Sequence, residues 1–145
     1  MPAWIAAGFE EYARRMPRTL SMRLSEIKPE PRGTAIPVSR LTEAEAKRIR
    51  AALPADCLKV VLDERGRACT TRDLAARLEQ WQTQSREVAF IIGGADGLTA
   101  DLRDDAHWLW SLSPLTLPHG LVRVIVAEQL YRAMAILGNH PYHRD

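Results

Sequence analysis

Three stretches of the 145-residue chain carry residues that could do chemistry, and all lie beyond residue 90. The first is Ile91-Ile92-Gly93-Gly94-Ala95-Asp96-Gly97-Leu98, where an apolar run enters a glycine turn. Gly93, Gly94 and Gly97 would let main chain lie directly against a ligand, so a pocket is expected there. The second is Ser111-Leu112-Ser113-Pro114-Leu115-Thr116-Leu117-Pro118-His119, an apolar and weakly polar loop. Its Pro118 suits the first residue of a long helix, where a missing N–H costs nothing. The third is the terminal Asn139-His140-Pro141-Tyr142-His143-Arg144. Tyr142 can stack a base and Arg144 can pair a phosphate; the other reading of these residues is a solvated tail.

Several familiar chemistries fail on spacing. Gly93-Gly94-x-x-Gly97 is not the G-x-G-x-x-G turn of dinucleotide-binding folds, and no acidic residue follows about twenty positions on. Ser111 and Ser113 precede His119, yet no G-x-S-x-G elbow raises either serine as a nucleophile. His140 and His143 flank Pro141-Tyr142, but the proline breaks helical register and no third ligand is near, so no metal is expected.

Together with Leu121-Val122-Arg123-Val124, the three stretches resemble the small SPOUT-class methyltransferases that modify a pseudouridine of large-subunit ribosomal RNA at N3. The resemblance runs from residue 2 to 145. Its combination of IGG-x-x-GL, S-L-S-x-L-T-L-P-H, VRV and HPYHR is more specific than any one part. It implies an α/β fold, a parallel-type sheet flanked by helices, with a C-terminal trefoil knot formed where residues 113–118 thread a loop. It also implies S-adenosyl-L-methionine as cofactor, bounded by Leu62, Asp63, Gly93, Gly94, Ser113, Pro114, Leu115, Thr116, Leu117 and Pro118. The implied partners are a second copy of the chain and the 23S rRNA of the assembled ribosome. His140, Tyr142 and His143 are then candidates to take or discourage the imide proton, and Arg144 to stabilise charge developing on the base. The alternative is a relative that binds cofactor and RNA without catalysis. Family members usually carry an extra first strand and glycine turn ahead of the position of Pro2. That segment is absent from this sequence, and a start codon assigned downstream of the true one is the expected reason.

With 46% hydrophobic residues the chain can bury one real core, and a single domain over residues 1–145 is expected. No window approaches the roughly 18 apolar residues of a membrane span, and Met1-Pro2-Ala3-Trp4 does not begin a signal peptide, so a cytoplasmic protein is expected. Cys57 and Cys69 are too few for a disulfide framework or a zinc site, and Cys57 reads as a small core residue. A net charge of +2 is too small to announce nucleic acid. Of the twenty basic residues all but Lys28, Lys47 and Lys59 are arginine, which pairs bidentately with phosphate and stacks on bases. GC-biased coding would give the same imbalance.

The elements that must position these stretches follow from periodicity. Trp4, Ile5, Phe9, Tyr12 and Met16 predict an amphipathic helix over residues 3–15, ended by Pro17. Leu20, Met22 and Leu24 alternate with polar residues and predict a strand. Residues 29–40 form a basic loop, either an RNA-facing flap or a connector. Thr42 and Glu45 match a capping box opening a helix to residue 53. Residues 58–62 predict a strand covered on both faces, with Asp63-Glu64-Arg65-Gly66 at the carboxyl end where open α/β sheets bind ligands. Asp63 could accept a bond from a ribose or simply shape a turn. Thr71 caps a helix to residue 84 with Leu74, Leu78 and Trp81 inside, and residues 88–92 form the next strand. Thr99 begins a helix through His107. Residues 118–137 form a helix apolar over more than one stripe, the natural subunit interface, which Gly138 ends. Strand and helix alternation implies a parallel sheet.

Overall fold

The computed structural model describes the chain apart from residues 32, 34, 95, 141 and 143–145. In chain order its elements are α1 (Ala3–Ala13), a 3-10 turn (Arg18–Leu20), α2 (Val38–Ala52), β1 (Leu58–Arg67), α3 (Thr71–Thr83), β2 (Val88–Ile92), α4 (Ala100–Asp104), β3 (Trp108–Trp110) and α5 (His119–Leu137). They form two compact units. One comprises Met1–Leu24, Cys69–Ser85 and Leu117–Asp145; the other comprises Ser25–Ala68 and Arg86–Thr116.

The second unit holds a parallel sheet in the order β2-β1-β3. Its central strand contains the nearly unbroken apolar run of residues 58–62, in which Val60 and Val61 are fully buried, as expected where both faces are covered. β1 pairs with β2 from Leu58↔Val88 to Leu62↔Ile92, and with β3 from Val60↔Trp108 to Leu62↔Trp110. The helix expected from Thr99 through His107 is shorter, and β3 follows at Trp108. The helix stops at Asp104, because the backbone of His107 is drawn into the sheet: His107 N donates to Lys59 O, and Lys59 N donates to His107 Nδ1, both at 2.9 Å. Trp108 and Trp110 then stack at 4.9 Å, and Phe90 of β2 meets Trp110 edge-on at 6.2 Å. This aromatic layer adds buried area and ring geometry to a three-residue strand.

β1 also runs further than residue 62. Leu62 and Arg67 both pair with Trp110, so residues 63–66 leave the ladder and return to it, and Ser111 N donates to Arg67 O at 3.0 Å. Gly66 makes the return possible: a Cβ there would lie 2.4 Å from Leu109 O and 2.6 Å from its carbonyl carbon. The neighbour is backbone and cannot swing away. Gly66→Ala is therefore expected to destabilise the protein by about 1–3 kcal/mol, which thermal unfolding would read as a fall of roughly 5 °C. An unchanged melting temperature would mean the excursion is not held against β3.

α2 begins at Val38 rather than Thr42. Pro37, with φ fixed at −61°, supplies the carbonyl that accepts from Arg40 N and Leu41 N at 3.0 and 3.3 Å. Thr42 falls inside the helix, its hydroxyl donating to Val38 O and Ser39 O. The end of α2 is held to α4 by Arg50, which pairs with Asp101 at 2.9 Å and Asp105 at 2.8 Å. The start of the 29–40 loop is tied to α2, since Arg48 donates to Lys28 O at 2.7 Å and pairs with Glu30.

The first unit is helical. α1 buries Ile5 and Phe9 but leaves Trp4 58% exposed, so the apolar face is narrower than its periodicity implied. Gly8 lets α1 approach α5, since a Cβ would already sit 3.1 Å from Val124 Cγ1. α3 is capped one residue earlier than expected: Thr70 Oγ1 accepts from Asp73 N, and Asp73 Oδ2 accepts from Thr70 N. Leu74, Ala75, Leu78 and Trp81 are buried. Pro118 is the N-cap of α5 rather than its first residue, its carbonyl accepting from Val122 N at 3.0 Å. At the other end Asn139, not Gly138, takes the left-handed conformation at φ 57°. Asn139 N donates to Ile136 O and His140 N to Ala135 O, the paired bonds of a Schellman stop. The strand expected around residues 20–25 does not form. Ser21 is extended, but residues 21–25 lie outside the sheet, and alternation without a partner cannot satisfy a strand's N–H and C=O groups.

Candidate active site

Parallel strands in register release their chains on one edge. Because Leu62 sits opposite both Ile92 and Trp110, the chain leaves the sheet side by side after Leu62, after Ile92 and after Trp110. The carboxyl edge of a parallel sheet is where such folds receive ligands. The structure thus brings Leu62, Asp63, Gly93, Gly94, Ser113, Pro114, Leu115 and Thr116 to one edge. Leu117 and Pro118 follow directly and lead into α5.

The three glycines of the turn do different work. A Cβ on Gly93 would lie 2.9 Å from Leu98 Cγ and 3.2 Å from the carbonyl carbon of Gly97, so this glycine serves the packing of the turn. Gly97 has φ +76°, and its N–H donates to Gly94 O at 3.0 Å, closing the turn. Gly94 and Gly97 both face open space: a Cβ on Gly94 would have Glu45 Oε1 nearest at 4.0 Å, and one on Gly97 would meet nothing within 4 Å. Of the two, Gly94 is the one whose backbone is not in the left-handed region, and its main chain is open to a ligand.

The 111–116 loop is shaped by its own hydroxyls. Buried Ser111 donates through Oγ to Ser113 O at 3.0 Å, and Ser113 Oγ accepts from Leu115 N at 3.0 Å. The serines are thereby occupied in building the loop. Leu115 is 69% exposed, an apolar surface on this loop. Thr116 Oγ1 donates to Glu64 Oε2 at 3.0 Å, linking this loop to the β1 excursion. Asp63 accepts from Arg65 N at 2.8 Å and lies 3.8 Å from Arg103, which itself donates to Leu98 O at 2.5 Å. Asp63 therefore shapes a turn through its side chain, and Arg103 ties that turn to the glycine segment. Glu64 lies in the Asp63-Glu64-Arg65-Gly66 stretch that topology marked as a candidate. Arg103 was not identifiable from sequence, since nothing in its spacing distinguishes it from a surface charge.

The terminal residues lie in the helical unit. His143 and Arg144 fall outside the described residues. His140 Nδ1 accepts from Tyr142 N at 3.1 Å. Tyr142 meets Tyr131 edge-on at 4.7 Å, lies under Arg132 at 4.8 Å, and its hydroxyl donates to Glu128 Oε2 at 3.4 Å. Burial, then hydrogen bonding with Tyr12, pushes the Tyr142 phenol up to about 12. Its folded value lies above the ordinary 10, so its stabilising contribution holds below pH 10 and is lost between pH 10 and 12. At neutral pH it is a hydroxyl donor, not a phenolate.

The family described as "Predicted SPOUT methyltransferase" matches residues 1–143. The chain belongs to the SPOUT methyltransferase family. It is 55% identical over 144 residues to the ribosomal RNA large subunit methyltransferase H of Nitrosospira multiformis, covering 99% of this chain and 92% of that protein. Identity is 56% to the proteins of the same name from Paraburkholderia xenovorans and Burkholderia mallei, with the same coverage. The three-stranded parallel sheet flanked by helices agrees with the α/β class of SPOUT enzymes. Membership in a SPOUT methyltransferase family implies a methyl donor. At the sheet edge, exposed Leu115 offers apolar surface and Gly94 an open main-chain face. Among the described residues no cluster of histidine, cysteine or carboxylate side chains could hold a metal, and no helix is long and apolar enough to cross a membrane.

Proposed function

We propose that the protein transfers a methyl group from S-adenosyl-L-methionine to N3 of a pseudouridine in the 23S rRNA of the assembled ribosome, in the cytoplasm. The observation that carries this reading is the likeness, along 99% of the chain, to relatives named as large-subunit ribosomal RNA methyltransferases. The family match spans both structural units, which supports treating residues 1–145 as one functional domain.

Main chain of Leu62 and Gly94, together with residues 113–118, would hold the donor in the family's knotted loops, and Asp63 would set the turn beside it. When bound, S-adenosyl-L-methionine supplies a methyl group on sulfonium, open to in-line attack by a nitrogen. The protein's task is to place the base and manage its imide proton. His140 and His143 carry the titratable rings of the tail and are the candidates to take that proton. Tyr142, protonated at neutral pH, is better suited to hold the segment. Arg144 would stabilise charge developing on the base.

Homodimerisation through α5 belongs to the same reading. Leu121, Val122, Ile125 and Ile136 are only half-buried within one chain, which favours a second copy as their cover. Ile125→Glu is expected to shift the species seen by light scattering from dimer to monomer. A dimer of undiminished stability would remove α5 from the interface.

The whole proposal is tested by incubating purified protein and labelled S-adenosyl-L-methionine with ribosomes lacking the mark. One methyl per large subunit, mapped to N3 of a pseudouridine, is expected. Donor binding without transfer would indicate a docking protein, and absence of donor binding would exclude both readings.

A further inference from the structure

We propose that Glu128 and Arg132 of α5 form a clasp on Tyr142 that positions the C-terminal segment for methyl transfer, an inference that rests on the function proposed above. The pair is two-pronged: Arg132 Nε and Nη2 each lie 3.1 Å from a Glu128 carboxylate oxygen. Its two partners meet Tyr142 on different parts of the ring. The Arg132 guanidinium lies 4.8 Å from the ring centre, and Glu128 Oε2 accepts from the hydroxyl at 3.4 Å.

The clasp is anchored from behind. Glu128 Oε1 accepts from Gln129 Nε2 at 2.9 Å, and Gln129 Oε1 accepts from the Thr71 hydroxyl of α3 at 2.7 Å. Tyr131 buttresses the Tyr142 ring edge-on, Tyr12 stands 6.3 Å from Tyr131, and Arg15 lies 5.8 Å from both of those rings. A carboxylate with donors from Arg132, Gln129 and Tyr142 is fixed in direction as well as place.

An ion pair four residues apart on a helix adds little to overall stability. Its geometric consequence is larger. The helix stop fixes His140 through the bond from its N–H to Ala135 O, and the clasp fixes Tyr142 two residues on. His140 and Tyr142 are each held in this way, so the side chain of His140 is placed before substrate arrives. Pre-ordering of this kind raises turnover without requiring tighter donor binding.

The test compares full-length wild type, Glu128→Ala, Tyr142→Phe and the double variant, using S-adenosyl-L-methionine and ribosomes lacking the mark. Each single change is expected to lower kcat about tenfold, with donor affinity held within about twofold and the double variant no worse than the worse single. Glu128→Gln keeps an acceptor for the hydroxyl and should recover part of the loss. Hydrogen exchange at the amides of Asn139, His140 and Tyr142 should quicken in Glu128→Ala. Unchanged kcat in both single variants, or losses that multiply in the double, would overturn the clasp. If Glu128→Ala fails to fold, Tyr142→Phe decides by kcat and exchange together. If wild type itself transfers no methyl, the proposed function fails. The exchange measurement then judges the clasp by itself: faster exchange supports it and unchanged exchange overturns it.

Discussion

Gly94→Val protein is expected to bind S-adenosyl-L-methionine at least about 100-fold more weakly, a loss of roughly 2.7 kcal/mol, while remaining folded. Folding should survive because φ at Gly94 is not in the left-handed range and, among the described residues other than its chain neighbours, none lies closer than 4.0 Å to the added Cβ. Binding should not, because three carbons would occupy the space that leaves this main chain open. Gly97→Val offers the contrast. At φ +76° a branched side chain strains the backbone itself, so that variant should lose stability as well as affinity. Calorimetric titration with a melting curve for each variant separates the cases. Wild-type affinity in folded Gly94→Val would remove this turn from the pocket.

Deleting residues 140–145 is expected to leave donor affinity unchanged and reduce methyl transfer by a factor of about 1,000 or more, the combined loss of proton handling and charge stabilisation. The deletion starts after Asn139, so the bond from Asn139 N to Ile136 O that closes α5 is retained. The cut removes His140, Tyr142, His143 and Arg144 together, and with them each titratable side chain assigned to the base. The clasp argument adds a gradation. Tyr142→Phe should cost about tenfold, far less than the deletion, because it loosens the segment without removing its reactive groups. Retained transfer in the truncated protein would leave the tail without a role.

Sequence reasoning reached the parts of this fold whose signals are local and one-sided. The runs at residues 58–62 and 88–92, apolar but for Lys59, became the paired strands β1 and β2. The edge they share with the start of the loop after β3 was legible as a consequence. β3 was not legible. Trp108-Leu109-Trp110 is too short for a periodicity, and its place is set by His107 and Lys59, residues 48 apart that no local pattern connects. The converse error at residues 20–25 has the same root, since alternation reports a wet face but not whether a neighbouring strand exists. Helix starts were missed by one to four residues where Pro37, Thr70 and Pro118 cap with backbone or side chain in ways that compete with nearby threonines. Within the candidate site, glycine spacing marked the turn but could not tell Gly94 from Gly93, because the difference is whether Leu98 or open space lies beyond the Cα. The tail was visible as chemistry. That Tyr142 would be engaged by Glu128 and Arg132 depends on where the helix stops, and Asn139 in the left-handed conformation decides that.

The most direct test is a crystal structure of the protein grown with S-adenosyl-L-methionine. Density for the donor should lie at the carboxyl edge of the sheet, against the Gly94 main chain and between Leu62 and the loop of residues 113–116. Donor bound at any other surface, or none bound at saturating concentration, would contradict the assignment.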